Sequence, residues 1–430
     1  MFSMPSSPHA DRPVFNQLDL KKIATDTKFV IRESKKFCPS CFIQSLLEAV
    51  ITGKASLSQI SYSMGGLVGE TMAKQAVHKR FSEASSDFLL AVYMEILEWY
   101  FASRPPNLHH QPFNRLLIAD SSFNRIHGAN TEHFRGNGNG RVDTAGYKIE
   151  LVYDLLTGEM ESGAHYEARE QDKAIGKDLV DKVQAGDLVL RDLCYFAIKE
   201  FIRIEQVGAY WLSRLPLSTK VRFHTENGEQ TLEQVLKSTS IRQKKVELDV
   251  VISNSNLPCR LVAVRADKSV AKQRRKERRK SGSEIYKDTG LVRDGWHILM
   301  TNIEAQCCSI QQLMNIYRMR WDVEIQFRAW KQSLKLHKAF DRDTSPHHIY
   351  ALIIASMIHM LLLMVSRRMA QQELKPGQLS LEKLATSYSQ FILKADRFER
   401  CWDYPLDLRH LKKDSRKRKS PVAVGISSLS

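Results

Sequence analysis

The stretch from Tyr317 to Lys331, YRMRWDVEIQFRAWK, constrains this chain most. It holds no glycine or proline and predicts one helix. At about 100° per residue, with Tyr317 at zero, Arg320 falls near about −60°, Glu324 near about −20° and Lys331 near about −40°. A tyrosine, two cations and a carboxylate thus share one narrow polar stripe. Ile316, Val323, Phe327 and Leu334 form the apolar edge beside it, and Asp322 falls on the far side. A carboxylate can hold a divalent cation, and flanking Arg and Lys can hold phosphates. Such a site needs partner carboxylates from elsewhere in the fold.

Two short apolar runs end in acids and supply candidates. Leu116-Leu-Ile-Ala-Asp120 and Asp187-Leu-Val-Leu-Arg-Asp192 both predict buried strands. Acids at the ends of neighbouring strands can lie side by side. Three converging carboxylates repel one another unless cations neutralise them, and two divalent ions about 3.5–4 Å apart do so in in-line phosphodiester chemistry. Mg²⁺ suits such a set because it takes oxygen ligands and keeps substrate phosphates in its shell, with Mn²⁺ able to substitute.

Charge points to the same partner. The 430 residues carry a formal net charge of +16, which favours a polyanion, nucleic acid before an anionic membrane surface. The excess concentrates in Lys272-Gln-Arg-Arg-Lys-Glu-Arg-Arg-Lys280, with seven basic residues in nine. Lys272, Arg274, Arg275, Arg278 and Arg279 are its candidate phosphate contacts. Seven cysteines, an odd number, suit a reducing compartment rather than a disulfide scaffold. The N-terminus lacks a secretory pattern, and the apolar run Ile349–Val365 reads as a buried helix rather than a membrane span. Cytoplasm, in association with the nucleoid, is the expected location.

The remaining chain divides by texture. Residues 1–105 are helical. Ser56–Ser63 and Thr71–Phe81, with a break at Gly65-Gly66, suit a helix-turn-helix that places Lys79 and Arg80 on DNA. Residues 113–216 alternate strands and helices as a mixed α/β core. Residues 217–295 are a β-rich insertion, residues 296–375 return to the core, and residues 376–430 form a helical and basic tail.

The spacing Tyr317-x2-Arg320-x3-Glu324-x6-Lys331 resembles the signature of the insertion sequence four family of DDE transposases, which includes Tn-five-type enzymes. The settings of Asp120 (Leu-Ile-Ala-Asp-Ser-Ser) and Asp192 (Leu-Val-Leu-Arg-Asp-Leu-Cys-Tyr-Phe) resemble that family's first two acids. Cys194 departs from it, since many relatives carry glycine there. The resemblance implies an RNase H-like catalytic core with a β-rich insertion, and metal-dependent cut-and-paste transposition through a DNA hairpin. It implies Asp120, Asp192 and Glu324 as metal ligands and Tyr317, Arg320 and Lys331 as a phosphate clamp. Trp296 stands where relatives place a tryptophan that stacks on a flipped base. Partners would be terminal inverted repeats, target DNA and a second copy of the chain in a dimer, with no membrane. The other readings are an RNase H-like nuclease without strand transfer and a catalytically silent regulator.

Overall fold

The computed structural model describes residues 18–32, 34, 36–102, 112–136, 144–167, 177–225, 228–252, 255–280, 287–335, 338–340, 344–374 and 378–412. Five helices come first: α1 (Leu20–Asp26), α2 (Pro39–Thr52), α3 (Leu57–Val68), α4 (Lys74–His78) and α5 (Glu83–Ala102). Strands β1 (Leu116–Ile126), β2 (Ala145–Asp154) and β3 (Glu159–Glu167) follow, then α6 (Lys177–Val180), β4 (Leu188–Arg191), α7 (Ile198–Gln206) and β5 (Tyr210–Arg214). The expected insertion supplies β6 (Val221–Thr225), β7 (Gly228–Thr231), α8 (Leu232–Ser238), β8 (Lys245–Ile252), β9 (Leu257–Arg265), α9 (Lys268–Lys280) and α10 (Lys287–Arg293). The chain returns through β10 (Trp296–Thr301), α11 (Ile310–Arg318), α12 (Trp321–Ser333), α13 (Pro346–Glu373), α14 (Leu381–Ile392) and α15 (Leu408–Leu411).

Among the described residues ten strands join one sheet in the order β3-β2-β1-β4-β5-β10-β9-β8-β6-β7. β1, β4 and β5 are parallel neighbours, while β2 and β3 run antiparallel on the far side of β1. The strands of residues 217–295 are therefore not a separate layer. β9 pairs with β10 from Trp296–Arg265 to Thr301–Arg260 and extends the core sheet.

Alternation along each strand sends side chains to two cores. Leu116 and Ile118 of β1, with Ile149 and Leu151 of β2, face a large helical core. Leu117, Ala119 and Val189 face a smaller core closed by Phe201 and Ile204 of α7 and stacked Trp211. The axis of the large core is α13, capped at its start by the Ser345 hydroxyl. Its apolar window is 94% buried, so its hydropathy reflects packing inside the protein. α2 and α5 pack directly on it.

Three expectations about helices change. Gly65-Gly66 lies inside α3, which ends at Gly69 with φ +77°. The Gly69 N–H donates to Gly65 O, the C-cap bond that glycine's left-handed freedom allows. The next helix begins at Lys74 after Ala73, not at Thr71. The helix that opened the sequence reading is two helices. Met319 and Arg320 keep helical angles, but their N–H groups bond to Ile316 O and Tyr317 O, three residues back. This tightened turn re-aims the chain between α11 and α12.

Candidate active site

β1 and β4 pair in parallel with an offset of 72 residues, from Leu116–Leu188 to Ile118–Leu190. Carried two residues further, the same offset sets Asp120 beside Asp192. Asp192 has left the strand and caps a 3₁₀ turn, Leu193–Tyr195. Glu324 arrives from α12, which packs across β1.

Arg320 joins the acids. Its guanidinium lies 2.8 Å from Glu324 Oε1 and 3.6 Å from Asp192 Oδ2. Arg320 is well buried, and the two acids are about one-third exposed. Asp120 is the most enclosed of the three. Burial raises its carboxyl to about 6, with Glu324 and Asp192 pushing the same way. The Ser121 N–H, donating to Asp120 Oδ1 at 2.9 Å, and the charge of Arg320 oppose that rise.

Tyr317 and Lys331 reach the two strands that lead to these acids. The Tyr317 hydroxyl donates to Arg191 O at 3.3 Å, one residue before Asp192. Lys331 Nζ donates to Phe123 O at 3.3 Å on the strand of Asp120. Burial lowers the Lys331 amine, while Asp120 opposes the shift. The break between α11 and α12 alters the helical-wheel angles, yet Tyr317, Arg320, Glu324 and Lys331 still converge. The side chain of Asp322 lies outside the described residues.

Among the described residues, no three metal-binding side chains are drawn together tightly enough to share one ion. Arg320 stands between Asp192 and Glu324 instead. The donor set still fits a hard divalent cation in kind: three carboxylates on three elements, one raised by burial and by its acidic neighbours.

Beyond Leu193 lies a cavity of about 560 Å³ with arginines 214, 274, 278 and 293 in its walls. Trp296 lines it too, but sits in the core at 4% exposure. The guanidinium carbon of Arg265 covers its ring at 4.3 Å. Trp296 is thus a buried wall of the cavity, rather than the open stacking platform the sequence suggested.

The basic run forms α9, and helical spacing splits it. Arg274 and Arg278, one turn apart, face inward. Arg274 donates to Trp296 O at 2.9 Å, and Arg278 grips Asp294 with two bonds, 2.5 and 2.9 Å. Lys272 and Arg275 remain exposed; the side chain of Arg279 lies outside the described residues. In the N-terminal helices Lys79 is exposed. Arg80 turns inward over the Phe37 ring at 3.9 Å, so its cation serves packing first.

Sequence reading missed Arg214 and Arg293. Arg214 is exposed at the end of β5, and a cation closing a predicted strand was the available signal. Arg293 is fixed by Glu233 and by Pro216 O, contacts no short-range pattern announces.

The chain is similar to known proteins over most of its length. The chain is 25% identical over 362 residues to the transposase for insertion sequence element IS231E of Bacillus thuringiensis subsp. finitimus, covering 78% of this chain and 75% of that one. It is 23% identical over 350 residues to the transposase for IS1151 of Clostridium perfringens, covering 75% and 73%. Among solved structures, a piggyBac transposase synaptic complex with hairpin DNA aligns with a TM-score of 0.43 at 10% identity, covering 93% of this chain and 83% of that one. A family model for the transposase DDE domain matches residues 111–361, a span that holds β1, the end of β4 and α12 with all three acids, and by that match the chain belongs to the DDE transposases.

Proposed function

We propose that this chain is the transposase of an insertion sequence and moves it by cut and paste. The observation that carries the reading is the approach of Asp120, Asp192 and Glu324 to Arg320, Tyr317 and Lys331 where β1 and β4 lie side by side. Water cleaves a phosphodiester at the element's end and frees a 3′-hydroxyl. That hydroxyl attacks the opposite strand and forms a hairpin, a second water opens it, and the 3′-hydroxyl then joins target DNA.

Asp120, Asp192 and Glu324 would hold two Mg²⁺ ions, which when bound neutralise the carboxylates and activate the attacking and leaving oxygens. Arg320, oriented by two acids, directs its remaining N–H groups at a phosphate. Tyr317 and Lys331 hold the strand on either side. Arg214 and its neighbouring arginines receive the distorted backbone and the extruded base, with Trp296 as the inner wall. The order of β1 to β5, three antiparallel strands followed by two parallel ones, supports an RNase H-like core. The N-terminal helices grip the element's end, Lys79 among them, and two copies of the chain bring two ends together.

The test uses duplexes made from the DNA bordering the reading frame, scored for cut and joined products. Glu324→Gln is expected to lose both by about 10³-fold or more while duplex binding persists. Cleavage at the parental rate would sink the assignment, and cutting without joining in the parent would leave a nuclease.

A further inference from the structure

Behind Asp192, on the sheet face turned from α12, lies a buried polar cluster that the chemistry above leaves unused. Leu190 points to the large core, so Arg191 points the other way. Arg191 is fully buried. Burial pulls its guanidinium below the ordinary arginine value, against Glu200, Glu150 and Tyr195. Glu150, 3% exposed, lies on β2 opposite Ser121, one residue past Asp120. Tyr195 closes the turn that Asp192 opens.

Tyr195 connects these groups. Its N–H donates to Asp192 O at 3.0 Å. Its hydroxyl donates to Glu150 Oε2 at 3.3 Å. The guanidinium carbon of Arg191 lies 5.9 Å from its ring centre. β1 runs between β4 and β2, so this bond crosses behind the strand that bears Asp120. Ala119, with its small side chain, lies on that same face. The turn holding Asp192 is therefore tied to the strand beside Asp120 by a contact made on the opposite side of the sheet.

Resting on the reading of Asp120 and Asp192 as metal ligands, we infer that Tyr195 and Glu150 are positioning residues. They set the separation of the two carboxylates from behind. Neither touches substrate. Their removal should act on metal affinity before it acts on DNA binding, because outer contacts of a metal site typically govern affinity by about 10–100-fold.

The experiment titrates DNA-free, full-length protein with Mn²⁺, following free ion by electron paramagnetic resonance. Tyr195→Phe keeps the ring and loses the hydroxyl. It is expected to weaken Mn²⁺ binding by about tenfold, with parental circular dichroism and duplex affinity. Asp192→Asn runs beside it. If Asp192→Asn loses Mn²⁺ and Tyr195→Phe binds as the parent does, the positioning role is overturned. If Asp192→Asn binds Mn²⁺ like the parent, the reading of the acids fails instead. Should Tyr195→Phe not fold, Glu150→Gln takes its place under the same two outcomes.

Discussion

Two regions of opposite charge meet at Asp192 and Leu193. On one side Asp192 and Glu324 flank Arg320, with Asp120 within reach of its charge. On the other, four arginines line a cavity. They are built differently. The acid site follows from strand register: the 72-residue offset of β1 and β4 aligns two acids, and one helix adds the third. The arginine cavity is assembled from β5, α9, α10 and β10, and two of its cations are already bound to protein acids, Arg278 to Asp294 and Arg293 to Glu233. Arg278 therefore belongs to the frame of the cavity, while exposed Arg214 is placed to meet a ligand.

Stability measurements can break that distinction. Arg278→Ala strands Asp294, which is 3% exposed, without its two-bond partner. Denaturant unfolding should show a loss of about 3 kcal/mol. Arg214→Ala should stay within about 0.5 kcal/mol of the parent. Equal losses at both positions would erase the division into frame and ligand-facing cations.

On the acidic side the effect has the opposite sign. Folding raises the Asp120 carboxyl from 3.8 to about 6. The native state thus binds that proton more tightly than the unfolded chain. This group's cost to metal-free stability is absent below about pH 4 and complete above about pH 6. Asp120→Asn should therefore stabilise the metal-free protein at pH 7, on the order of 2 kcal/mol, and the gain should vanish by pH 4. A gain that is flat with pH would place its origin elsewhere.

The smallest effect concerns the outward face of α9. Lys272→Ala should leave stability within about 0.5 kcal/mol of the parent. It should reduce the slope of log affinity against log salt for duplex DNA by about one. An unchanged slope would remove that face from the DNA path.

The same contrast explains what was legible in the sequence. The short apolar runs before Asp120 and Asp192 are legible as strands, although Asp120 lies inside β1, which continues to Ile126, and Asp192 falls just past the end of β4. Asp120, Asp192 and Glu324 could be named from short windows, and their partners Tyr317, Arg320 and Lys331 meet them in the fold. The break at Met319–Arg320 left no such trace, because both residues keep helical angles without glycine or proline. Pairing of β9 with β10 is a long-range event, so a single ten-stranded sheet could not be read from local alternation. Arg274 and Arg278 read as phosphate contacts because their protein acceptors, Trp296 O and Asp294, lie in another segment. Trp296 was singled out by its position relative to Tyr317, which does not say that its ring is buried and covered by Arg265.

The buried α13 also has a consequence for synthesis. It closes over α2 and α5, yet about 290 residues separate Thr52 from Pro346. At ribosomal rates of ~5–20 residues per second, the faces of α2 and α5 that pack on α13 wait ~15–60 s for that cover. During that interval the nascent chain carries unmatched hydrophobic surface at its leading end. Synthesis of α13 is thus a condition for closing the large core against which β1 and α12 are set.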